Sequence, residues 1–210
     1  MKACGKGDRR DIIAIGGSAG SIEVLEALVR NLPATFGAAV FVVVHSSPRV
    51  PSRLPAILNR LGPLKAEPAI DGESIRSGRI YLPPPDRDLV IAKEHICLTR
   101  GPKEGLHPPS INMTFRSAAL TYGNRVVGVL LSGMLNDGTS GLWEIAKHGG
   151  VTVVQDPAEA QFPSMPLSAV RDVPVDYRVR TGEMGDLLTG LAFGAKIPPL
   201  RNGVNWQEGW

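Results

Sequence analysis

Three residues with the side chains of a nucleophile, a base and an acid each follow a short apolar segment of the chain. They are Ser18, His45 and Asp137. The apolar segments are rich in β-branched residues, which is typical of buried strands in a parallel sheet. In open α/β sheets the ligand site lies beyond the carboxyl ends of the strands. The pattern therefore predicts that these side chains meet at one edge, where a serine, a histidine and an aspartate can perform nucleophilic catalysis.

Each of the three residues also has an ordinary structural explanation. The sequence Gly16-x-Ser18-x-Gly20 has the pattern of a nucleophile elbow, but a glycine-rich turn between a strand and a helix also binds anions. A histidine at a strand end is often a polar cap, and an aspartate before a glycine is common in turns. From the residues alone, catalysis and anion binding at Ser18 both stay open. The joint occurrence of His45 and Asp137 at two other strand ends favours catalysis.

The hydrophobic patterns around these residues predict alternating strands and helices. The predicted strands are 12–15, 40–44, 79–82, 89–92, 96–99, 126–131 and 151–154. The predicted helices are 22–32, 54–61, 111–122, a segment around 142–146, 166–171 and 183–193. A tight turn at Lys93-Glu94 joins two of the strands as a hairpin.

This alternation is typical of a doubly wound α/β fold, in which helices flank a mainly parallel sheet and the hairpin is an antiparallel insertion. The length of 210 residues favours one domain. We expect that domain to span residues 10–195, with flexible ends at 1–9 and 196–210.

Composition excludes several other classes of protein. The net charge of +3 comes from the first ten residues, and residues 11–210 carry 19 charges of each sign. A folded body without excess positive charge argues against a nucleic-acid partner. The two cysteines form no C-x-x-C pair, and the four histidines show no metal-ligand spacing, so no metal is expected. No apolar run is long enough for a signal peptide or a membrane span, so we expect a cytoplasmic protein without direct membrane insertion.

Several segments of the chain resemble the catalytic domain of the CheB-type protein-glutamate methylesterases of bacterial chemotaxis. The resemblance covers about residues 11–193. The similar segments are residues 13–20 (IAIGGSAG), 43–45 (VVH), 71–72 (DG), 78–87 (GRIYLPPPDR), 107–110 (HPPS), 115–119 (FRSAA), 131–138 (LSGMLNDG), 155–157 (QDP) and 165–166 (MP).

The resemblance implies a catalytic triad of Ser18, His45 and Asp137, with an oxyanion hole formed by the backbone N–H groups of Ala19 and Met134. It also implies the reaction, which is hydrolysis of glutamate γ-methyl esters on the cytoplasmic helices of methylated chemoreceptors with release of methanol. Some members of the family also deamidate receptor glutamines. The resemblance implies no metal or organic cofactor.

The chain departs from the family pattern at several positions outside the triad. Val44 stands where Gln is frequent, Ala19 where Thr is common, Asp88 where His is usual, Pro108 where Arg is common and Asn112 where Asp is common. These differences leave the triad intact and concern the choice of substrate. The family usually carries a receiver domain before this one, and the residues before the first predicted strand are too few for a domain. We therefore expect a stand-alone enzyme that is constitutive or controlled by a separate regulatory protein.

Three other functions are compatible with the same residues. One is a serine esterase or amidase that acts on another signalling protein. The second is a scaffold that binds receptor helices without turnover, and the intact set of Ser18, His45 and Asp137 speaks against it. The third is nucleotide binding at the glycine-rich turn, which the absence of both the G-x-G-x-x-G pattern and the P-loop lysine disfavours.

Overall fold

A computed structural model of the protein describes residues 9–45, 52–100 and 109–198. Its strands are β1 (Ile12–Gly17), β2 (Ala39–Val44), β3 (Lys65–Pro68), β4 (Arg79–Leu82), β5 (Asp88–Ile91), β6 (Ile96–Thr99), β7 (Val126–Leu130), β8 (Val151–Gln155) and β9 (Tyr177–Val179). Its helices are α1 (Ser21–Arg30), α2 (Leu54–Leu61), α3 (Ile111–Tyr122), α4 (Thr139–Lys147), α5 (Ser164–Asp172) and α6 (Thr181–Ala192). Residues 1–8 and 199–210, which belong to the expected flexible ends, lie outside this description, as does Pro108.

Seven strands form one sheet in the order β3-β4-β2-β1-β7-β8-β9, and all neighbouring strands are parallel. The strands β5 and β6 form the separate antiparallel hairpin, whose turn contains Lys93 and Glu94. The predicted fold class is therefore confirmed. Only the two edge strands, β3 and β9, were missing from the prediction. Both are short and carry charged residues, so they lack the apolar pattern that marks the inner strands.

Helices cover both faces of the sheet. Alternate side chains of β1 point to opposite faces, so Ile13 and Ile15 pack under α1, α2 and α6, while Ile12 and Ala14 pack under α3, α4 and α5. Among the described helices, none has both the length and the apolar character needed to cross a membrane.

The hairpin packs on α3 and contributes to the second of these cores. Hydrogen bonds fix it there. The Oγ1 of Thr114 donates to the carbonyl of Leu89 at 2.7 Å, and the Oγ of Ser117 accepts from the N–H of Ile91 at 2.9 Å. The insertion therefore supports the helix whose first turn borders the site described below.

The central strand β1 lies at the switch point of the sheet. From β1 the chain passes to β2 on one side, and it later returns to the other side as β7. The ladder continues past the strand ends, because the N–H of Leu131 donates to the carbonyl of Gly16 and the N–H of Ser18 donates to the carbonyl of Ser132, both at 2.9 Å. The loops after β1 and β7 therefore meet at the place where ligands bind in doubly wound folds.

Helices α3 and α4 approach each other closely at Gly141. A Cβ atom at this position would lie 2.6 Å from the Cβ of Phe115 and 3.0 Å from the Cα of Asn112. Neither of these atoms is the flexible end of a side chain, so relief would require the two helices to move apart. The absence of a side chain at Gly141 therefore sets the distance between the first turns of α3 and α4.

We expect Gly141→Ala to lower the free energy of unfolding by about 1–3 kcal/mol, because the added methyl group overpacks the contact between α3 and α4. The control is Gly182→Ala in α6, where a Cβ meets no atom within 4 Å. There the substitution is expected to raise stability by about 0.5 kcal/mol through helix propensity. Urea denaturation measures both effects. Equal stability of the two variants would contradict this account of the helix contact.

Candidate active site

Ser18 occupies the tight turn that connects β1 to α1. Gly20 adopts a left-handed conformation with φ of 73° and precedes the first residue of the helix. The N–H and the Oγ of Ser21 both donate to the carbonyl of Ser18, at 3.1 and 2.6 Å. These bonds close the turn, and the structure has the order of strand, turn and helix that the nucleophile-elbow pattern requires. Ser18 lines a cleft of about 590 Å³.

His45 follows β2 directly, and the parallel register places it beside the serine turn. Gly17 pairs with Val44, so Ser18 and His45 are the next residues on adjacent strands. The imidazole also lines the cleft. Its Nε2 forms a 2.8 Å hydrogen bond with Oδ2 of Asp137. Because Nε2 is engaged in this way, Nδ1 is the ring nitrogen that remains available for another partner.

Asp137 accepts hydrogen bonds on both carboxylate oxygens. Its Oδ2 accepts from His45 and from the N–H of Ile111 at 2.9 Å. Its Oδ1 accepts from the N–H groups of Asn112 at 3.1 Å and Gly138 at 2.9 Å. Ile111 and Asn112 are the first residues of α3, so the carboxylate lies at a helix N-terminus, where unpaired N–H groups and the helix dipole favour an anion.

These contacts keep Asp137 ionised. Burial raises the pKa of the carboxyl group, but the hydrogen bonds from His45 and from the backbone of Ile111 and Asn112 lower it by more. The pKa of Asp137 therefore lies below its ordinary value. An ionised carboxylate accepts a proton-bearing Nε2, which leaves a lone pair on Nδ1 of His45.

Ser18 and His45 line the same cleft without a direct bond. Among the described residues, no hydrogen bond joins the Oγ of Ser18 to the imidazole, whereas the bond between His45 and Asp137 is formed. The base and its carboxylate partner are thus already oriented. Catalytic hydrogen bonds to a nucleophile are often long in the absence of substrate and tighten when it binds.

Two backbone N–H groups near Ser18 have no acceptor in the described part of the chain. Within the described residues, neither Ala19 nor Met134 donates its N–H to a protein acceptor. A Cβ built on Gly133 would lie 3.0 Å from the Cβ of Ser18, so the loop before Met134 passes directly beside the serine. Two unpaired donors next to a serine Oγ are the elements of a site that stabilises an oxyanion.

Ser132 and Gln155 hold these two loops together. The buried Ser132 donates its Oγ to the carbonyl of Ala19 at 2.9 Å and accepts from the N–H of Phe162 at 3.0 Å. The Oε1 of the buried Gln155 accepts from the N–H of Ser132 at 2.8 Å. Buried polar groups that are fully bonded in this way rigidify their surroundings. The network therefore positions the residues on either side of Ser18.

Sequence reasoning missed the role of Asn112. Its Oδ1 accepts from the N–H groups of Gly138 at 3.0 Å and Gly141 at 2.8 Å, which begin α4. Gly138 has no side chain with which to cap its own helix. Asp137 caps α3 while Asn112 of α3 caps α4, so the two helix N-termini are locked reciprocally. The glycine at the N-cap position of α4 was a signal in the sequence that another residue must cap this helix. The sequence did not show that this residue is Asn112.

Asp88, which differs from the family pattern, has a structural role here. It is buried, and its Oδ1 accepts from the N–H of Ser110 at 2.8 Å. Ser110 in turn caps α3 by accepting from the N–H of Met113. Asp88 therefore supports the first turn of the same helix that holds Asp137. In the described parts of the chain, no three His, Cys, Asp or Glu side chains form a group able to hold a metal ion.

The fold and the geometry together define a doubly wound α/β protein with a serine, a histidine and an aspartate around the switch point of its sheet. The chain belongs to the CheB methylesterase family, whose model matches residues 13–188. The resemblance stated from the sequence motifs is thereby confirmed.

Relatives from several organisms agree with this family. A Leptospira interrogans protein, assigned by its name to the protein-glutamate methylesterases/protein-glutamine glutaminases, is 34% identical over 182 residues, which are 86% of this chain and 94% of that protein. The protein-glutamate methylesterase/protein-glutamine glutaminase 2 of Methanosarcina mazei is 33% identical over 84% of this chain, which spans 50% of that relative. The crystal structure of the Thermotoga maritima CheB methylesterase catalytic domain matches with a TM-score of 0.83 and 29% identity, covering 86% of this chain and 98% of that one.

The lowered pKa of Asp137 predicts a pH-dependent contribution to stability. Because the pKa is lower in the folded than in the unfolded protein, the ionised carboxylate contributes stability that is complete above the unfolded value of about 3.9 and is lost as the pH falls below it. In Asp137→Asn, the amide NH₂ faces backbone donors on whichever side it is placed. We expect the variant to be less stable by about 1–3 kcal/mol at pH 7, with the difference shrinking between pH 5 and pH 3.

Urea denaturation at pH 7, 5, 4 and 3 measures this difference. The control is Asp172→Asn, which breaks an exposed ion pair with Arg171 and should change stability little. A difference between wild type and Asp137→Asn that stays constant over this pH range would contradict the ionised state of Asp137.

Proposed function

We propose that this protein is a serine-dependent protein-glutamate methylesterase that hydrolyses glutamate γ-methyl esters on chemoreceptors. The observation that carries the proposal is that Ser18 and His45 line one cleft at the switch point of the sheet, with His45 oriented by its hydrogen bond to Asp137. The names of the relatives support the choice of ester. We assign the catalytic domain to residues 10–195.

In the first step Ser18 attacks the ester carbonyl. Nδ1 of His45 takes the proton from the serine Oγ as the new C–O bond forms, because Nε2 is bonded to Asp137. The carboxylate of Asp137 holds the imidazole in this tautomer and stabilises the imidazolium that results. The proton then passes from Nδ1 to the methoxy oxygen, the ester C–O bond breaks and methanol leaves.

The N–H groups of Ala19 and Met134 stabilise the negative charge that develops on the carbonyl oxygen. Neither N–H has an acceptor among the described residues, and the Ala19 N–H lies just before the N-terminus of α1, where the helix dipole favours an anion. Replacement of the family's common Thr by Ala19 does not affect this role, because the donor belongs to the backbone.

In the second step a water molecule displaces the Oγ of Ser18 from the acyl group. His45 removes a proton from water as the water oxygen attacks the acyl carbon. The bond from that carbon to the Oγ of Ser18 breaks, His45 returns the proton to this Oγ, and the glutamic acid that leaves ionises by releasing its own proton to solvent. The same steps applied to a glutamine amide release ammonia instead of methanol. Deamidation of receptor glutamines is therefore part of the proposal, and the chemistry requires no metal or organic cofactor.

The first test is methanol release from methylated chemoreceptor membranes by wild type and by Ser18→Ala, His45→Ala and Asp137→Asn. We expect wild type to release methanol and each variant to lose activity by about 10³-fold or more, because the three side chains act as one unit. Circular dichroism of each variant shows that its fold is retained. Activity of Ser18→Ala within tenfold of wild type would refute the serine mechanism.

A fluorophosphonate probe distinguishes the remaining functions if wild type releases no methanol. Labelling of Ser18 that depends on His45 would indicate a serine esterase or amidase with another signalling protein as its substrate. Receptor binding without labelling would indicate the non-catalytic scaffold.

A variant of Asn112 tests separately whether the mutual capping of α3 and α4 by Asp137 and Asn112 matters for activity. We expect Asn112→Ala to lower kcat at least tenfold. The N–H of Gly141 loses its acceptor and the N–H of Gly138 keeps only Asp137, so the start of α4 is held less firmly and the carboxylate of Asp137 shifts. The matched control is Asn59→Ala, which removes two side-chain bonds to the backbone of Ala66 in a different part of the fold.

Both asparagine variants should lose about 1–3 kcal/mol of stability, because each removes two hydrogen bonds to the backbone and leaves at least one backbone group unpaired. Only Asn112→Ala should lower kcat at a temperature where both variants are fully folded. Equal kcat values in the two variants would contradict a positioning role for Asn112.

A further inference from the structure

Large apolar side chains are exposed at positions close in the chain to Ser18 and Asp137. Eight large hydrophobic residues are exposed in the described parts of the chain, and three of them lie within four residues of Ser18 or Asp137. Ile22 follows Ser18 by one helical turn and lines the cleft. Met134 and Leu135 lie on the loop between β7 and α4, on the side of Ser18 formed by Gly133. Exposed apolar side chains grouped at a site indicate an interaction surface.

Leu135 is the most unusual of the three residues. Its side chain is 70% exposed, and its backbone has a left-handed conformation with φ of 66°. This conformation is sterically unfavourable for leucine and is normally adopted by glycine or asparagine. A side chain this exposed gains little from packing that could offset the cost of the conformation. A strained residue at the edge of a candidate active site points to a function for its side chain.

We propose that Ile22, Met134 and Leu135 form an apolar rim that binds the polypeptide substrate through apolar side chains next to the methylated glutamate. This inference rests on the proposed function, since it names what that site recognises. A glutamyl ester that belongs to a protein brings its neighbouring residues with it, and they must lie against the surface that surrounds Ser18. Three exposed apolar side chains of that surface lie close in the chain to Ser18 and Asp137, so apolar neighbours of the ester would gain free energy by covering them.

The position of the rim determines which neighbours it contacts. On a helical substrate, the residues three and four positions from the ester share its face. They would therefore lie against Leu135 and Ile22 when the ester carbonyl is next to Ser18. The rim thus selects esters on a helix face that carries apolar residues one turn away.

Two peptides test this selection in methanol-release assays. Each carries one glutamate γ-methyl ester in a helical sequence, and the residues three and four positions from the ester are leucine in one peptide and serine in the other. We expect wild type to prefer the leucine peptide by about tenfold in kcat/KM, which corresponds to burial of part of one or two leucine side chains.

Variants at Leu135 distinguish the effect of its apolar side chain from the effect of its left-handed backbone conformation. Leu135→Asn removes the apolar side chain while retaining a residue that tolerates the left-handed conformation, and it should reduce the tenfold preference to twofold or less. Leu135→Met retains an apolar side chain and should retain the preference. Leu120→Asn is the matched control, since Leu120 is 65% exposed near the far end of α3, and this variant should also retain the preference.

The outcomes distinguish the rim from the proposed reaction. Equal rates on both peptides with wild type, or an unchanged preference in Leu135→Asn, would refute the rim and leave the methylesterase activity standing. A loss of preference in Leu120→Asn equal to that in Leu135→Asn would also refute it. Absence of Ser18-dependent methanol release from either peptide would refute the proposed function and the rim together.

Discussion

The carboxylate of Asp137 is bonded to the first turn of α3, to the start of α4 and to His45 at the end of β2. A partly buried charge of this kind is costly unless its lone pairs are satisfied, and here four donors satisfy them. The rest of the site follows from these bonds. They fix the position of the imidazole, determine its tautomer and connect two helices that belong to different parts of the chain. Asn112, in the first turn of α3, accepts hydrogen bonds from the backbone at the start of α4 and so connects the same two helix N-termini.

The parallel sheet provides the rigid frame for this charge. Ser18 and His45 follow paired residues on adjacent strands, and Ser132 accepts a bond from Ser18 on the other side. Each loop at the site therefore starts from a strand whose position is set by ladder hydrogen bonds. The buried pair of Ser132 and Gln155 extends that order beyond the strand ends. The N–H groups of Ala19 and Met134, which have no acceptor among the described residues, are thereby held in fixed positions. Preorganised donors of this kind are what oxyanion stabilisation requires.

The interior of the site and the surface around it differ in polarity and in exposure to solvent. The polar side chains of Ser132 and Gln155 next to Ser18 are buried and hydrogen-bonded. Close in the chain to Ser18 and Asp137, the side chains of Ile22, Met134 and Leu135 are apolar and exposed, and Leu135 has a backbone conformation that leucine rarely adopts. Natural sequences depart from the rules of packing and backbone preference mainly where function demands it. The rim is such a departure, and it extends the proposed chemistry to the recognition of a polypeptide.

The sequence by itself determined the fold class, the inner strands and the helices, because buried strands and amphipathic helices have periodic apolar patterns that are local. It also determined the family, through motifs in a fixed order, and from them the candidate triad. The tertiary structure alone decided which strands are neighbours, which nitrogen of His45 contacts Asp137, and that Asn112 caps α4. The sequence likewise gave no sign of the edge strands β3 and β9 or of the left-handed conformation of Leu135. These features depend on contacts between residues distant in the chain or on the local path of a loop, and neither leaves a periodic signal in the sequence.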